Sequence, residues 1–214
     1  QRIGVIGATG SGKSTLVNLI PHLYGATSGL VAVNGKDVKE YDNNELRSII
    51  GIVPQKNVLF KGSIRENLLL GGKTATDDEL WQVLEAAQAK EIVEKKGGLD
   101  FEIEQNGRNL SGGQRQRLCI ARALVGNPEI LILDDSASAL DFKTEAELRH
   151  AMANLKQNPT VITVSQRVSS VMNADKIIVL DDGQAVGVGT HDQLLEVCEI
   201  YAEICRSQLE KEEM

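Results

Sequence analysis

Gly7-Ala8-Thr9-Gly10-Ser11-Gly12-Lys13-Ser14-Thr15 constrains the fold of this chain more than any other stretch. Its pattern is G-x-x-x-x-G-K-[ST], a phosphate-binding loop. The apolar run Ile3-Gly4-Val5-Ile6 before it reads as a buried parallel strand. Leu16-Val17-Asn18-Leu19-Ile20 after it reads as a helix stopped by Pro21. Glycines let the backbone curl so that several N–H groups converge on one anion, and the helix start adds partial positive charge. Lys13 is expected to reach the β- and γ-phosphates of a nucleotide, and the Ser14 hydroxyl to ligate Mg²⁺. Gly7, Thr9, Gly10, Ser11, Gly12, Lys13, Ser14 and Thr15 are therefore the candidate nucleotide-binding residues of the loop.

A chain of 214 residues can bury one substantial core, and one domain with an inserted subdomain is its natural organisation. The net charge of −7 argues against a nucleic-acid partner, which needs clustered Lys and Arg. Arg115, Arg117 and Arg122 read instead as one helix face. At 3% aromatic residues the chain has little with which to stack bases. Cys119, Cys198 and Cys205 are an odd set without metal spacing. Cys198 and Cys205 fall two turns apart on one expected helix, which fits buried, reduced thiols in a cytosolic setting. No apolar run approaches the ~20 residues needed to span a bilayer, and no signal peptide is evident. If the chain serves a membrane, the spanning part is expected elsewhere.

Further along, Leu30 to Val38 alternates around Asn34-Gly35, a hairpin signal. Ile49 to Val53 reads as a strand closed by Pro54. A polar helix is expected from about Thr76 to Lys96, with Thr76-Asp77-Asp78-Glu79 as a capping box and Leu80, Val83, Leu84 and Ala87 as its packing stripe. Gly97-Gly98 breaks it. A helix from Gly112 to Val125 begins after Ser111 and ends at Gly126-Asn127-Pro128. Strand Ile130–Asp134, helix Glu145–Lys156, strand Val161–Val164 and a hairpin over Lys176–Val188 around Asp181-Asp182-Gly183 follow. A last helix starts at Thr190, capped with Gln193. Strands alternating with helices imply a parallel α/β core. The tail from Glu210 to Met214 is expected to be frayed.

At Leu110-Ser111-Gly112-Gly113-Gln114 the whole chain resembles the nucleotide-binding domain of an ABC transporter, whose signature motif is LSGGQ. Ser111 suits a helix N-cap, and the two glycines let N–H groups approach an anion. The resemblance implies that Ser111, Gly112, Gly113 and Gln114 contact the γ-phosphate of ATP held by an opposite subunit. It also implies the fold class: α/β, a P-loop NTPase (RecA-like) parallel-sheet core with an inserted helical subdomain and a partial antiparallel β-subdomain. The expected boundaries are one ABC ATP-binding domain over residues 1–214, with the core at 1–55 and 115–214 and the helical signature subdomain at about 56–114. ATP and Mg²⁺ are the implied cofactors, with Ser14, Gln55 and Asp134 on the metal. Gln55, in Val53-Pro54-Gln55, resembles the Q-loop glutamine that also senses the membrane domain. Phe60 to Leu68 resembles a segment typical of exporters, and Gly189-Thr190-His191-Asp192 is likewise typical of them. Ser136 to Asp141 resembles the D-loop at the dimer interface. His191 is a helix-start residue, and His22 and His150 have no motif context.

Two positions depart from the family pattern. A glutamate usually follows the Mg²⁺ aspartate, but here Asp135 follows Asp134. A carboxylate base works within ~2.6–3.2 Å of the water it orients, or through another water. Losing a methylene retracts it by about 1 Å, a displacement that can cost about 10²-fold in rate. The family's switch histidine is Gln166 here, which can donate a hydrogen bond but cannot become a cation or relay a proton. Lys13, Gln55, Asp135 and Gln166 are the catalytic candidates, with Asp135 an impaired base. Both departures beside an intact signature resemble the degenerate-site subunit of a heterodimeric multidrug or lipid exporter. The implied partners are a second nucleotide-binding domain and the transmembrane domains of a transporter, and the implied location is the cytoplasmic face of a membrane, the plasma membrane in a bacterium.

The family also stacks adenine on an aromatic residue upstream of the P-loop. Gln1 lies too close to the loop to include it, and Tyr24 and Tyr41 do not match. The chain is therefore expected to be a fragment lacking some strands of the antiparallel subdomain. Two other functions stay open at this point: a non-hydrolysing regulatory ATP-binding subunit, and a soluble ABC ATPase acting on DNA or ribosomes. The second would need basic surfaces or coiled-coil insertions, which the sequence lacks.

Overall fold

The structure is a computed structural model that describes residues 1–135, 142–153, 155 and 158–212. In chain order its regular elements are β1 (Arg2–Ile6), α1 (Lys13–Asn18), β2 (Ala32–Val33), β3 (Lys36–Asp37), α2 (Asn43–Ser48), β4 (Ile50–Val53), β5 (Gly62–Ser63), α3 (Ile64–Leu69), α4 (Asp77–Ala86) and α5 (Lys90–Lys96). They continue with β6 (Glu102–Ile103), α6 (Gly112–Leu124), β7 (Ile130–Asp134), α7 (Phe142–Ala153), β8 (Thr160–Ser165), α8 (Val168–Val171), β9 (Lys176–Asp181), β10 (Gln184–Gly189), α9 (His191–Val197) and α10 (Glu199–Glu212). Two compact units result: Gln1–Arg47 with Ile132–Asp135 and Thr160–Met214, and Ser48–Leu131 with Ser136–Pro159.

In the first unit β1 lies between β8 and β9, parallel to both, with Val5 facing Val164 on one side and Ile178 on the other. Strands buried on both faces read as continuous apolar runs, which is how Ile3-Gly4-Val5-Ile6 was legible. β10 returns antiparallel to β9 with a bulge between Ala185 and Gly187. The turn between them carries Asp182 at φ 43° and Gly183 at φ 76°, the pair of left-handed residues that a tight hairpin demands. Asn34 and Gly35 do the same between β2 and β3. Ile6, Val168, Val171, Ile177, Val179, Leu194 and Tyr201 form one buried cluster that α8, α9 and α10 close. The parallel α/β architecture of a P-loop NTPase is thus in place.

In the second unit the Ile49 carbonyl accepts from the Glu129 and Ile130 N–H groups at 2.9 and 3.1 Å, beside the start of β7. α3, α4 and α6 pack together. Among the described residues four helices start with full capping boxes: Ser63 with Glu66, Thr76 with Glu79, Ser111 with Gln114, and Thr190 with Gln193. The first of these, and with it α3, is a sequence signal the motif reading passed over. So is Asp42, whose carboxylate accepts from Asn44 and Glu45 N–H and starts α2.

Four local expectations are corrected. The first helix starts at Lys13 and ends at Asn18, because the last loop residues already form its first turn. The expected helix from Thr76 to Lys96 is two helices. Gln88 is left-handed at φ 56°, and the Ala89 N–H caps the Leu84 carbonyl at 2.7 Å. Cys198 and Cys205 do not share a helix. Cys198 is the extended residue ending α9, held where only a glycine at 187 leaves room for its Sγ. Finally, Arg117 lies about 200° around α6 from Arg115, so the three arginines do not form one face. They hold three different backbone stretches instead: Arg115 the Leu110 carbonyl at 2.7 Å, Arg117 the Gln88 carbonyl at 3.1 Å, and Arg122 the Val58 carbonyl at 3.0 Å. No described helix is long and apolar enough to cross a membrane.

Gly51 in β4 runs so close to α6 that a Cβ there would sit 2.2 Å from the Ala123 carbonyl oxygen. Gly51→Ala is expected to cost about 1–3 kcal/mol, the usual penalty for overpacking. Denaturant unfolding measures this, and an unshifted midpoint would contradict the packing described.

Candidate functional site

The phosphate loop leaves β1 at Gly7. A Cβ at Gly7 would lie 2.1 Å from the Leu180 carbonyl oxygen and 2.7 Å from Ser11 Oγ, so only glycine fits between the loop and β9. Gly10 and Gly12 take φ 83° and 94°, a region that other residues rarely adopt. The Ser11 N–H donates to the Ala8 carbonyl at 3.2 Å, and the Gly183 N–H donates to the Ser11 carbonyl at 3.2 Å, which ties the loop to the β9–β10 turn.

Lys13 is buried, and its ammonium donates to the Gly7 carbonyl at 2.8 Å, the Ala8 carbonyl at 2.6 Å and Ser11 Oγ at 3.3 Å. Burial pushes its pKa below the ordinary lysine value, against the pull of the Asp135 and Asp134 charges. The Ser14 hydroxyl donates to Asp134 Oδ1 at 3.1 Å. Asp134 ends β7 and is buried. Burial pushes its carboxyl above the usual range, the Ser14 hydrogen bond opposes that, the Asp135 charge adds to it, and the Lys13 charge opposes it again. Thr15 is exposed at the start of α1.

Asp135 follows with φ 48°, and its N–H donates to the Val164 carbonyl at 2.9 Å. Aspartate tolerates this left-handed backbone better than most residues, a feature with no signature in the sequence. Gln166, just past β8, accepts from Thr9 Oγ1 through its Oε1 at 3.4 Å. The first unit therefore gathers Gly7 to Thr15, Asp134, Asp135 and Gln166.

Gln55 and Ser111 to Gln114 belong to the second unit. Ser111 Oγ accepts from the Gln114 N–H at 3.3 Å, and Gln114 Oε1 accepts from the Ser111 N–H at 3.1 Å, so the signature serine caps α6 in a capping box. Gly112 and Gly113 are the first residues of that helix. Gln55 is exposed just after β4. The segment beyond it is held by Arg122, whose hydrogen bond to the Val58 carbonyl spans 64 residues of sequence and so has no local signal. Ser136 to Asp141 lie outside the described residues.

The profile of the ABC transporter family matches residues 1–138. The chain belongs to the ABC transporter family. It is 46% identical over 207 residues to an uncharacterized ABC transporter ATP-binding protein of Mycobacterium tuberculosis, covering 95% of this chain and 35% of that protein. It is 43% identical over 196 residues to a protein of Staphylococcus aureus provisionally named a multidrug export ATP-binding/permease protein, covering 91% of this chain and 34% of that one. The solved structure of a bacterial Atm1-family ABC exporter with ATP bound superposes at a TM-score of 0.92 with 35% identity, over 97% of this chain and 37% of that one. The ABC chain thus spans about a third of the length of these relatives.

The buried Asp134 carboxyl sets a sign. Its folded pKa lies above the unfolded one, so its stabilising contribution is full below the unfolded value and lost as pH rises through the folded value. In metal-free buffer Asp134→Asn is therefore expected to raise the unfolding midpoint at pH 7, by about 2–4 °C for each kcal/mol relieved. The gain shrinks as pH falls through the folded pKa. A midpoint that stays put or drops at pH 7 would contradict this account of the site.

Proposed function

We propose that this chain is the ATP-binding domain of an ABC exporter whose own nucleotide site is poorly equipped for hydrolysis and whose signature completes a partner's site. The observation that carries the site assignment is the Ser14 hydroxyl at 3.1 Å from Asp134, beside a lysine buried among loop carbonyls. A polyphosphate offers Lys13 anionic acceptors in place of the neutral Gly7 and Ala8 carbonyls, which adds a charge–charge attraction to its already charge-assisted hydrogen bonds. Gly7 to Thr15 supply the backbone donors.

Ser14 and Asp134 fit Mg²⁺, which is usually held by one or two protein oxygens together with phosphates rather than by a full protein cage. Their two oxygens converge, and the buried carboxyl gains most from a cation. When bound, the ion neutralises phosphate charge. Gln55 is assigned to the same ion by resemblance. Asp135 is the water-orienting base one methylene short of glutamate, on a left-handed backbone. Gln166 sits against Thr9 of the loop, where it can donate to a terminal phosphate but cannot carry charge.

Ser111 to Gln114 present a capped helix start with two glycines to a nucleotide on the opposite domain. Two nucleotides shared in this way clamp two domains together, and hydrolysis at the competent site releases them. Transmembrane domains coupled near Gln55 would carry the substrate out, consistent with the exporter names of similar proteins. A heterodimer with a partner carrying glutamate and histidine at the two altered positions accounts best for the pairing of Asp135 and Gln166 with an intact signature.

Without a partner the chain is expected to bind MgATP and turn it over slowly. In the assembly, Asp135→Glu with Gln166→His is expected to raise turnover at this site at least about tenfold. Single-turnover hydrolysis assays read both. Rapid hydrolysis by a preparation shown to contain one subunit type would refute the degenerate-site assignment.

A further inference from the structure

Gln208 on α10 makes two hydrogen bonds to the backbone around Gln166. Its Nε2 donates to the Gln166 carbonyl at 2.7 Å. Its Oε1 accepts from the Val168 N–H at 2.8 Å, across 40 residues of sequence. The second bond answers a local need. α8 begins at Val168, and its N-cap residue Arg167 supplies no side-chain cap. The first N–H groups of a helix have no partner inside it, and Gln208 provides one from a distant helix. Ser165 Oγ accepts the intervening Arg167 N–H at 3.0 Å.

The chemistry of the pair suits an amide. One acceptor and one donor are required, and among uncharged side chains of this length only glutamine offers both at its tip. Glutamate would accept from Val168 but could not donate to the Gln166 carbonyl. α10 brings Gln208 into place through Tyr201 and Cys205, which are buried in the same cluster as Ile6 and Val168, with Ile204 packed alongside. Val168 thus takes part in both the apolar docking of α10 and the polar clamp. From the other side, the Gln166 side chain touches Thr9 of the phosphate loop at 3.4 Å. A continuous path of contacts runs from α10 through Gln208 and Gln166 to the loop.

We propose that Gln208 is a positioning residue: the two-point clamp fixes the backbone of Gln166, so that α10 sets where the Gln166 side chain points and how well this site distinguishes ATP from ADP. The assignment rests on Gln166 facing the terminal phosphate, as proposed above. Gln208 touches no nucleotide itself. Its effect falls on the terminal phosphate alone, so it alters MgATP binding and spares MgADP binding.

The test compares MgATP and MgADP dissociation constants, together with amide hydrogen exchange at Val168, for the full-length protein and four variants. Gln208→Leu removes both hydrogen bonds and is expected to weaken MgATP about three- to tenfold, the usual worth of one or two hydrogen bonds. MgADP affinity stays unchanged and Val168 exchanges faster. Gln208→Glu keeps the cap on Val168 and loses the other bond, so it lowers the ATP-to-ADP preference less and leaves Val168 protected. Should the leucine variant fail to fold, the glutamate variant carries the test alone. Ile204→Ala loosens α10 without touching the clamp and is expected to lower the unfolding midpoint while keeping the preference. Gln166→Ala removes the side chain being positioned. If Gln166→Ala lowers the preference and neither Gln208 variant does, the clamp proposal is overturned and the role of Gln166 stands. If Gln166→Ala has no effect on the preference, the role of Gln166 falls and the clamp proposal falls with it. Equal weakening of both nucleotides by Gln208→Leu and Ile204→Ala alike reduces Gln208 to a packing residue, which also overturns the proposal.

Discussion

Parallel pairing of β1 with β8 and β9 is the constraint on which the nucleotide site depends. Parallel strands end on the same edge, so the chain leaves β1 at Gly7, β8 at Ser165 and β9 at Asp181 side by side. That edge is where ligands bind in open α/β sheets. Gly7 must pass against the Leu180 carbonyl with no room for a side chain. Gln166 must emerge next to Thr9. The N–H of Asp135, just past β7, is tied to the Val164 carbonyl of β8. The sheet register therefore sets the spacing of every group in the first unit that could act on a phosphate.

The electrostatics of the site work against the folded chain when no nucleotide is present. Lys13 is buried with its ammonium spent on backbone carbonyls, and Asp134 is buried with its carboxyl pushed toward the neutral form. Both groups carry a desolvation cost that a bound anion and cation relieve, which is the usual sign of a binding site rather than of a structural ion pair. The cost is kept tolerable by their proximity, since each lowers the penalty of the other.

Much of this was legible in the sequence because the signals were local. The glycine loop, the capping boxes at Thr76, Ser111 and Thr190, and the Asn-Gly and Asp-Gly hairpins each depend on residues within a few positions of one another. Two of the departures came from distant contacts. Arg115, Arg117 and Arg122 look like a basic cluster in sequence, yet each is spent on a carbonyl of a different segment. Cys198 leaves its expected helix because Gly187 of a neighbouring strand makes room for it. The left-handed turn at Asp135 and the reach of Gln208 to Gln166 likewise depend on pairing between parts of the chain far apart in sequence.

We propose that this chain binds ATP but splits it only slowly at its own site, while its signature serves a competent neighbour. Photo-crosslinking of azido-ATP in the assembled transporter after many turnovers in the presence of vanadate tests it most directly, because vanadate traps ADP only where hydrolysis has occurred. The account predicts that peptides from the phosphate loop of this chain carry intact triphosphate, while the partner's loop carries the trapped diphosphate. Vanadate-trapped diphosphate on the Gly7–Thr15 peptide, at a level matching the partner's, would contradict it.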